Sequence, residues 1–229
     1  MLKIKKLYRE DYTGEEVVTN MTYSNAGWTY EKEHIPNQIT NITTTTQALV
    51  IGNGRSWQDE PFKFDLQHIA NHKGGLFGAD RLQTYGCNHL YKKFSPDFLV
   101  VDNDCADEIA ESGYTRENIV YAHGNMIINH PGKFYLIPQD PSFNAGAVAT
   151  YLACFDGHKK IFLMGFDGNP IGDNQYYEQT MLTVFNLYND VDFVLVAPTE
   201  GYYMPESWKY CVNLRQITHR DFVIEADIG

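Results

Sequence analysis

The sequence predicts an α/β fold, a mostly parallel sheet with helices on both faces, plus an N-terminal β-hairpin extension. Three observations predict it. Short continuous apolar runs, such as Ala48-Leu49-Val50-Ile51 and Ile161-Phe162-Leu163-Met164, read as strands buried on both faces. Helix-length segments separate these runs, the pattern of right-handed β-α-β units. Residues 1–46 differ from the rest: they are rich in Thr, Tyr, Glu and Asn and carry turn signals at Thr13-Gly14 and Asn25-Ala26-Gly27.

The extension, 1–46, reads as a two- or three-stranded antiparallel sheet, with strands over 16–23 and 28–31. A lone hairpin is marginal in water, so it is expected to pack on the main domain or on a second subunit. Tyr23, Trp28 and Tyr30 are expected in a homodimer contact, and Thr43-Thr44-Thr45-Thr46 reads as a linker. The compact domain spans 47–229. After the strand at Ala48 comes a helix over 65–70, a strand over 81–87 and a strand at Phe98-Leu99-Val100-Val101. A helix over 104–112 is stopped by Gly113, and short strands follow over 119–122 and 134–137. The helix over 144–155 opens on small residues, with Gly157 as its left-handed cap. A strand over 160–165, a helix over 175–188 and a strand over 191–197 complete the alternation, and Phe222-Val223-Ile224 reads as an edge strand. This order of elements is Rossmann-like.

Composition narrows the partners. In 229 residues, 43 % hydrophobic and 21 % charged side chains are enough for a buried core, so disorder throughout is excluded. A net charge of -11 repels nucleic acid polymers and anionic lipid. No apolar run approaches the roughly 20 residues of a membrane helix, and the basic N-terminus leads into Tyr8-Arg9-Glu10-Asp11 rather than a signal-peptide core. Cys87, Cys105, Cys154 and Cys211 are scattered and read as free thiols of a reduced, cytoplasmic protein.

Ligands of open parallel sheets bind beyond the C-terminal ends of the strands. Those points here carry Gly52-Asn53-Gly54-Arg55-Ser56, Cys87-Asn88, Asp102-Asn103-Asp104 and Gly165-Phe166-Asp167-Gly168, with Asn144-Ala145-Gly146 at a helix start. Small residues let a ligand approach the backbone, helix N-termini hold phosphate, and Asn and Asp bind sugar hydroxyls and base edges. The pattern therefore predicts a nucleotide-type pocket. The glycine turn is neither a dinucleotide fingerprint, since its third glycine is missing, nor a P-loop, since no Gly-Lys-Ser or Gly-Lys-Thr occurs.

These strand ends, in this order and spacing over about 47–180, resemble the bacterial lipooligosaccharide sialyltransferases. They are also similar to hydroxymethylpterin diphosphokinase-like domains, which share the glycine turn and the Gly-x-Asp strand end. The resemblance implies a Rossmann-like fold that binds CMP-sialic acid without a metal. It places Asn53 and Ser56 at the phosphate end, Asn88 and Asn103 on the donor, Ala145 and Gly146 against the nucleotide, and Gly165 and Asp167 on the base and ribose. Tyr176 or Tyr177 stands where that family has a tyrosine near the leaving phosphate. The family's catalytic lid and its histidine are missing, because Tyr176-Tyr177-Glu178-Gln179 passes straight into a helix. Its arginine before the small-residue helix is replaced by Pro141-Ser142-Phe143, and its second tyrosine by Gly168.

Candidates for the missing base are His123, in Ala122-His123-Gly124-Asn125, and His89. His68 and His72 have the spacing of a metal pair but lack the carboxylate of the metalloprotease pattern, so no metal is expected there. Asp102-Asn103-Asp104 has the Asp-x-Asp form that holds Mg²⁺ against a diphosphate, but Asp104 reads better as a helix cap. Arg55 is the cation of the glycine turn, and Lys92 and Lys93 read as a solvated helix face. The expected function is a nucleotide-sugar-binding, glycosyltransferase-like protein with a CMP-type donor. Two alternatives stay open: a diphosphokinase-like or other nucleotide-dependent transferase using Asp102, Asp104 or Asp167 with Mg²⁺, and a nucleotide-binding module without catalysis.

Overall fold

In a computed structural model of the chain, residues 2–9, 16–24, 27–35, 47–61, 63–73, 82–167 and 174–229 are described. Strands β1 (Leu2–Arg9), β2 (Glu16–Ser24) and β3 (Gly27–Ile35) form a three-stranded antiparallel sheet. The predicted turns at Thr13-Gly14 and Asn25-Ala26 and the Thr43–46 linker lie outside the described residues, as do the side chains of Tyr23, Trp28 and Tyr30.

The main sheet comprises β4 (Ala48–Ile51), β5 (Gln83–Cys87), β6 (Phe98–Val101), β7 (Ile119–Ala122), β8 (Tyr135–Leu136), β9 (Lys160–Met164), β10 (Asp192–Ala197) and β11 (Leu214–Thr218). All eight run parallel, in the order β11-β10-β9-β4-β5-β6-β7-β8. The helices are α1 (Gln67–Ala70), α2 (Asn103–Ser112), α3 (Gly124–Asn129), α4 (Ala145–Phe155), α5 (Asn174–Leu187) and α6 (His219–Glu225). The fold is α/β and Rossmann-like. Among the described residues, no helix is long and apolar enough to cross a membrane.

The strands sit between helices because alternate side chains enter two cores. Leu49, Ile51, Leu99, Val101, Phe162, Met164, Val194 and Val196 face a core completed by Ile109 of α2, Met126 and Ile127 of α3, and Phe222 of α6. Their neighbours Val50, Val100, Leu163 and Leu195 face the other core, with Val148 and Leu152 of α4 and Met181, Val184 and Phe185 of α5. A strand apolar on both faces is stable only between two such layers. Each fully buried aliphatic side chain contributes about 1.5–3 kcal/mol, so even four-residue strands hold their place.

Two predictions on local structure are corrected. Phe222-Val223-Ile224 belongs to α6, and the edge strand is β11. Thr218 and Asp221 close a capping box, which starts a helix where the apolar run alone reads as a strand. Asp102, not Asp104, occupies the cap position of α2, and its side chain makes no capping bond. Gly113 and Gly157 do adopt the left-handed conformation, with φ of 81° and 91°.

The chain builds outward from β4 through β8, then returns to the other side of β4 with β9, β10 and β11. The strand order therefore reverses between β4 and β9, the point where ligands commonly bind in open parallel sheets. At the far edge, Glu225 of α6 pairs with Arg215 of β11 and Lys160 of β9, and Arg215 also reaches Asp192 of β10 at 3.2 Å. The Arg215 hydrogen bond, aided by Lys160, holds the Glu225 carboxyl down at about 2. A carboxyl depressed in the folded state adds stability above its unfolded value of 4.5 and loses it as pH falls toward 2. Urea unfolding is therefore expected to show Glu225→Gln less stable than the parent at pH 7, with the two converging as pH falls through that window.

Candidate functional site

At this reversal, two strand-end loops interlock. Gly52 N donates to Met164 O at 2.8 Å and Gly54 N to Gly165 O at 3.0 Å. A Cβ on Gly52 would lie 2.5 Å from Gly165 O, and one on Gly54 would lie 1.8 Å from Asp167 Oδ1. Gly165 turns left-handed at φ 76°, and a Cβ there would meet Gly52 O at 2.7 Å. The glycines thus let backbone pass backbone. Asp167 then ties the loops: its Oδ2 accepts from Arg55 N at 3.0 Å and Ser56 N at 2.9 Å, and its Oδ1 accepts from Ser56 Oγ at 3.0 Å. Asp167 is in effect the cap of the one-turn 3-10 helix Arg55–Trp57. The Arg55 side chain points outward and pairs with Asp59 at 3.6 Å. On the β10 side, the space bounded by Ser56, Asp167, Tyr202 and Gln216 has no room for a water.

The rim opens on the β5 side instead. A cleft of about 320 Å³ is lined by Asn53, Asn88, His89, Lys92, Lys93 and Cys105, among others. Asn53 Nδ2 donates to Cys87 O at 3.4 Å. Asn88 is left-handed at φ 49°, which asparagine tolerates better than most residues. It ties β5 to β6, accepting from Asp102 N at 2.9 Å and donating to Asp102 Oδ2 at 3.1 Å. Lys92 and Lys93 lie on the 3-10 helix Asn88–Lys92 and its cap. Both are exposed, as the solvated helix face predicted from the sequence requires, and both also line the cleft. Lys92 Nζ pairs with Glu108 at 2.6 Å. Lys93 Nζ donates to Gln58 Oε1 at 2.6 Å and lies 5.5 Å from the Trp57 ring centroid; it has no carboxylate partner among the described residues. Cys105 Sγ lies 3.5 Å from His89 Nε2, but burial, with Asp102, Asp104 and Glu108, pushes its thiol up, which disfavours the thiolate. Burial likewise pushes Cys87 up to about 12.

Further along the rim, Asn103 Oδ1 accepts from Asn125 Nδ2 at 3.2 Å, and His123 Nδ1 lies 2.6 Å from Asp140 Oδ1. Asp102 sits between these groups and the cleft. Burial pushes its carboxyl up, opposed by the Asn88 hydrogen bond, by His123 and by the backbone amide of Ala145. Asn144 caps α4 by accepting from Ala147 N at 3.0 Å and donates to Thr180 Oγ1 at 2.8 Å. The two tyrosines separate. Tyr176 is exposed and donates to Ser142 O at 2.6 Å. The Tyr177 hydroxyl is buried without a partner, its ring stacked 6.4 Å from Phe166; burial first, then the charge of Asp167, pushes it well above its ordinary value.

The described residues among those singled out at the strand ends thus lie along one C-terminal rim. The β4–β9 group (Gly52, Gly54, Ser56, Gly165, Asp167) is mutually bonded scaffold. In the group from β5 to β7, Asn88 lines the open cleft, Asp102 is bonded to it, and Asn103 and His123 follow along the same strand ends. Asp140, Asn125 and Gln58 have no signal in the sequence, since each acts through a partner distant in the chain. Gly168 lies outside the described residues. Gly54→Ala is expected to lower stability by about 1–3 kcal/mol, the usual cost of overpacking, measured by urea unfolding, because its Cβ has no free volume against Asp167.

No family model matches the chain, and no curated protein matches it. Among solved structures, it is similar to the sialyltransferase CstII from Campylobacter jejuni, determined in complex with a substrate analogue, cytidine-5'-monophosphate. The TM-score is 0.42 at 11 % identity, over 65 % of this chain and 78 % of that one.

Proposed function

We propose that the chain binds a nucleotide sugar of the CMP type along the rim from β4 to β7 and acts as a glycosyltransferase-like protein. One observation carries the reading: a cleft of ligand size, beyond the C-terminal ends of β4 and β5 in a parallel sheet, is lined by a lysine with no carboxylate partner among the described residues, in a chain of net charge -11. In so acidic a protein, a cation placed in a cleft rather than paired on the surface fits a phosphate. Asn53 and Asn88 border the same cleft, and the sequence resemblance assigns Asn53 to the phosphate end and Asn88 to the donor. The orphan Tyr177 hydroxyl is a donor group without an internal acceptor.

In the Mg²⁺-dependent alternative, the ion would have to compete with the Asn88 amide for Asp102 and with Ser56 for Asp167.

Thermal shift and calorimetry with CMP, UDP, GDP and ATP, with and without Mg²⁺, test the reading. CMP is expected to stabilise the protein without metal. Lys93→Ala is expected to weaken CMP about ten-fold or more, the worth of one charge-assisted hydrogen bond. Failure of every nucleotide to bind overturns the reading. Binding without donor hydrolysis or transfer leaves the module without catalysis.

A further inference from the structure

The histidines of the chain fall into distinct settings. His158 is buried, with Nε2 2.9 Å from Gln83 Oε1 and 3.2 Å from Tyr85 OH. His130 pairs through Nε2 with Asp107, a side chain 81 % exposed. His89 faces a thiol. His123 differs from all three. Asp140 Oδ1 holds its Nδ1 at 2.6 Å, and Asp140 Oδ2 is itself fixed by Gly124 N at 3.1 Å. An acceptor at Nδ1 places the ring proton there and leaves the Nε2 lone pair free. Nε2 makes no hydrogen bond among the described residues, and the side chain is 21 % exposed.

The backbone that presents Asp140 is strained. Gln139 and Asp140 are consecutive non-glycine residues at φ 57° and 45°. Such a conformation persists where the surroundings impose it. Here Tyr151 OH donates to Gln139 Oε1 at 3.3 Å and Asp140 N donates to Ile137 O at 3.1 Å. The outcome of this strain is a carboxylate aimed at one imidazole. His123 and Asp102 follow the paired residues Ala122 and Val101 of adjacent strands, and Asn88, which lines the open cleft, is bonded to Asp102.

We propose that His123 is the proton acceptor of this rim, with Asp140 as its positioning residue. The proposal rests on the nucleotide-sugar reading and supplies its missing base. The acceptor hydroxyl, or water, forms a bond from its oxygen to the anomeric carbon. The bond from that carbon to the phosphate oxygen breaks, its electron pair leaves with the nucleotide, and the hydroxyl proton passes to His123 Nε2. No oxidant or metal is needed for the balance.

The test uses the full chain with CMP-sialic acid as donor and water as acceptor, and CMP for binding. His123→Ala is expected to bind CMP as the parent does, and to lose at least about a hundred-fold in hydrolysis. Added imidazole is expected to restore part of that rate, which it would not do for a merely structural histidine. Long-range nitrogen-15 NMR is expected to show the neutral His123 ring protonated on Nδ1 in the parent, and mixed between nitrogens in Asp140→Asn. The proposal is overturned if the parent binds CMP but does not hydrolyse the donor, if His123→Ala hydrolyses it at the parent rate, or if the parent ring carries its proton on Nε2. Absence of CMP binding brings down the nucleotide reading and this step together, so the binding arm tells the two failures apart.

Discussion

Two backbone segments, the turn after β4 and the loop after β9, cross within hydrogen-bond distance of each other, and the whole C-terminal rim is built on that crossing. The contact exists because no Cβ intervenes at Gly52, Gly54 or Gly165. Asp167 converts it into a rigid joint by accepting three hydrogen bonds from the facing turn. A carboxylate bonded to backbone amides offsets its own desolvation and orders the peptide that surrounds it. The joint also fills the β10 side of the rim, so that the open cleft lies toward β5 and the start of α2.

On that open side, the polar residues divide by how fully they are engaged. Asn88 uses both ends of its amide on Asp102, and Asn144 both of its own on α4 and Thr180. Such groups keep neighbouring strand ends at fixed separation, which is the preorganisation a binding site needs. Lys93 and the Nε2 of His123 are left with capacity to spare: a cation held by a neutral amide, and a ring nitrogen freed by the orientation of the other. Thiol chemistry has little place, because the thiols beside the cleft are pushed upward by burial and, at Cys105, by carboxylates.

The strands were legible because their driving force is local in sequence. Ala48-Leu49-Val50-Ile51 has no polar side chain for solvent, so it must lie between two layers wherever the chain places it. Gly113 and Gly157 mark helix ends for the equally local reason that other residues resist a left-handed backbone. Phe222-Val223-Ile224 misled, since three apolar residues suit either a strand or a helix, and the capping pair Thr218 and Asp221 decided the matter from outside the run. At the rim, Gly, Asn and Asp at strand ends were visible, but their division into joint, brace and free group was not.

By itself the sequence determined that a parallel sheet forms and that its polar strand ends share one edge, because apolar periodicity and chain direction dictate both. Only the tertiary structure decided that Asp167 braces a turn, that Lys93 enters a cleft, and that His123 meets Asp140. Each of those outcomes depends on a distance between side chains far apart in the chain, down to 17 residues for His123 and Asp140 and up to 112 for Arg55 and Asp167. No local pattern encodes such a distance, since it is set by how the crossovers pack each loop against the next.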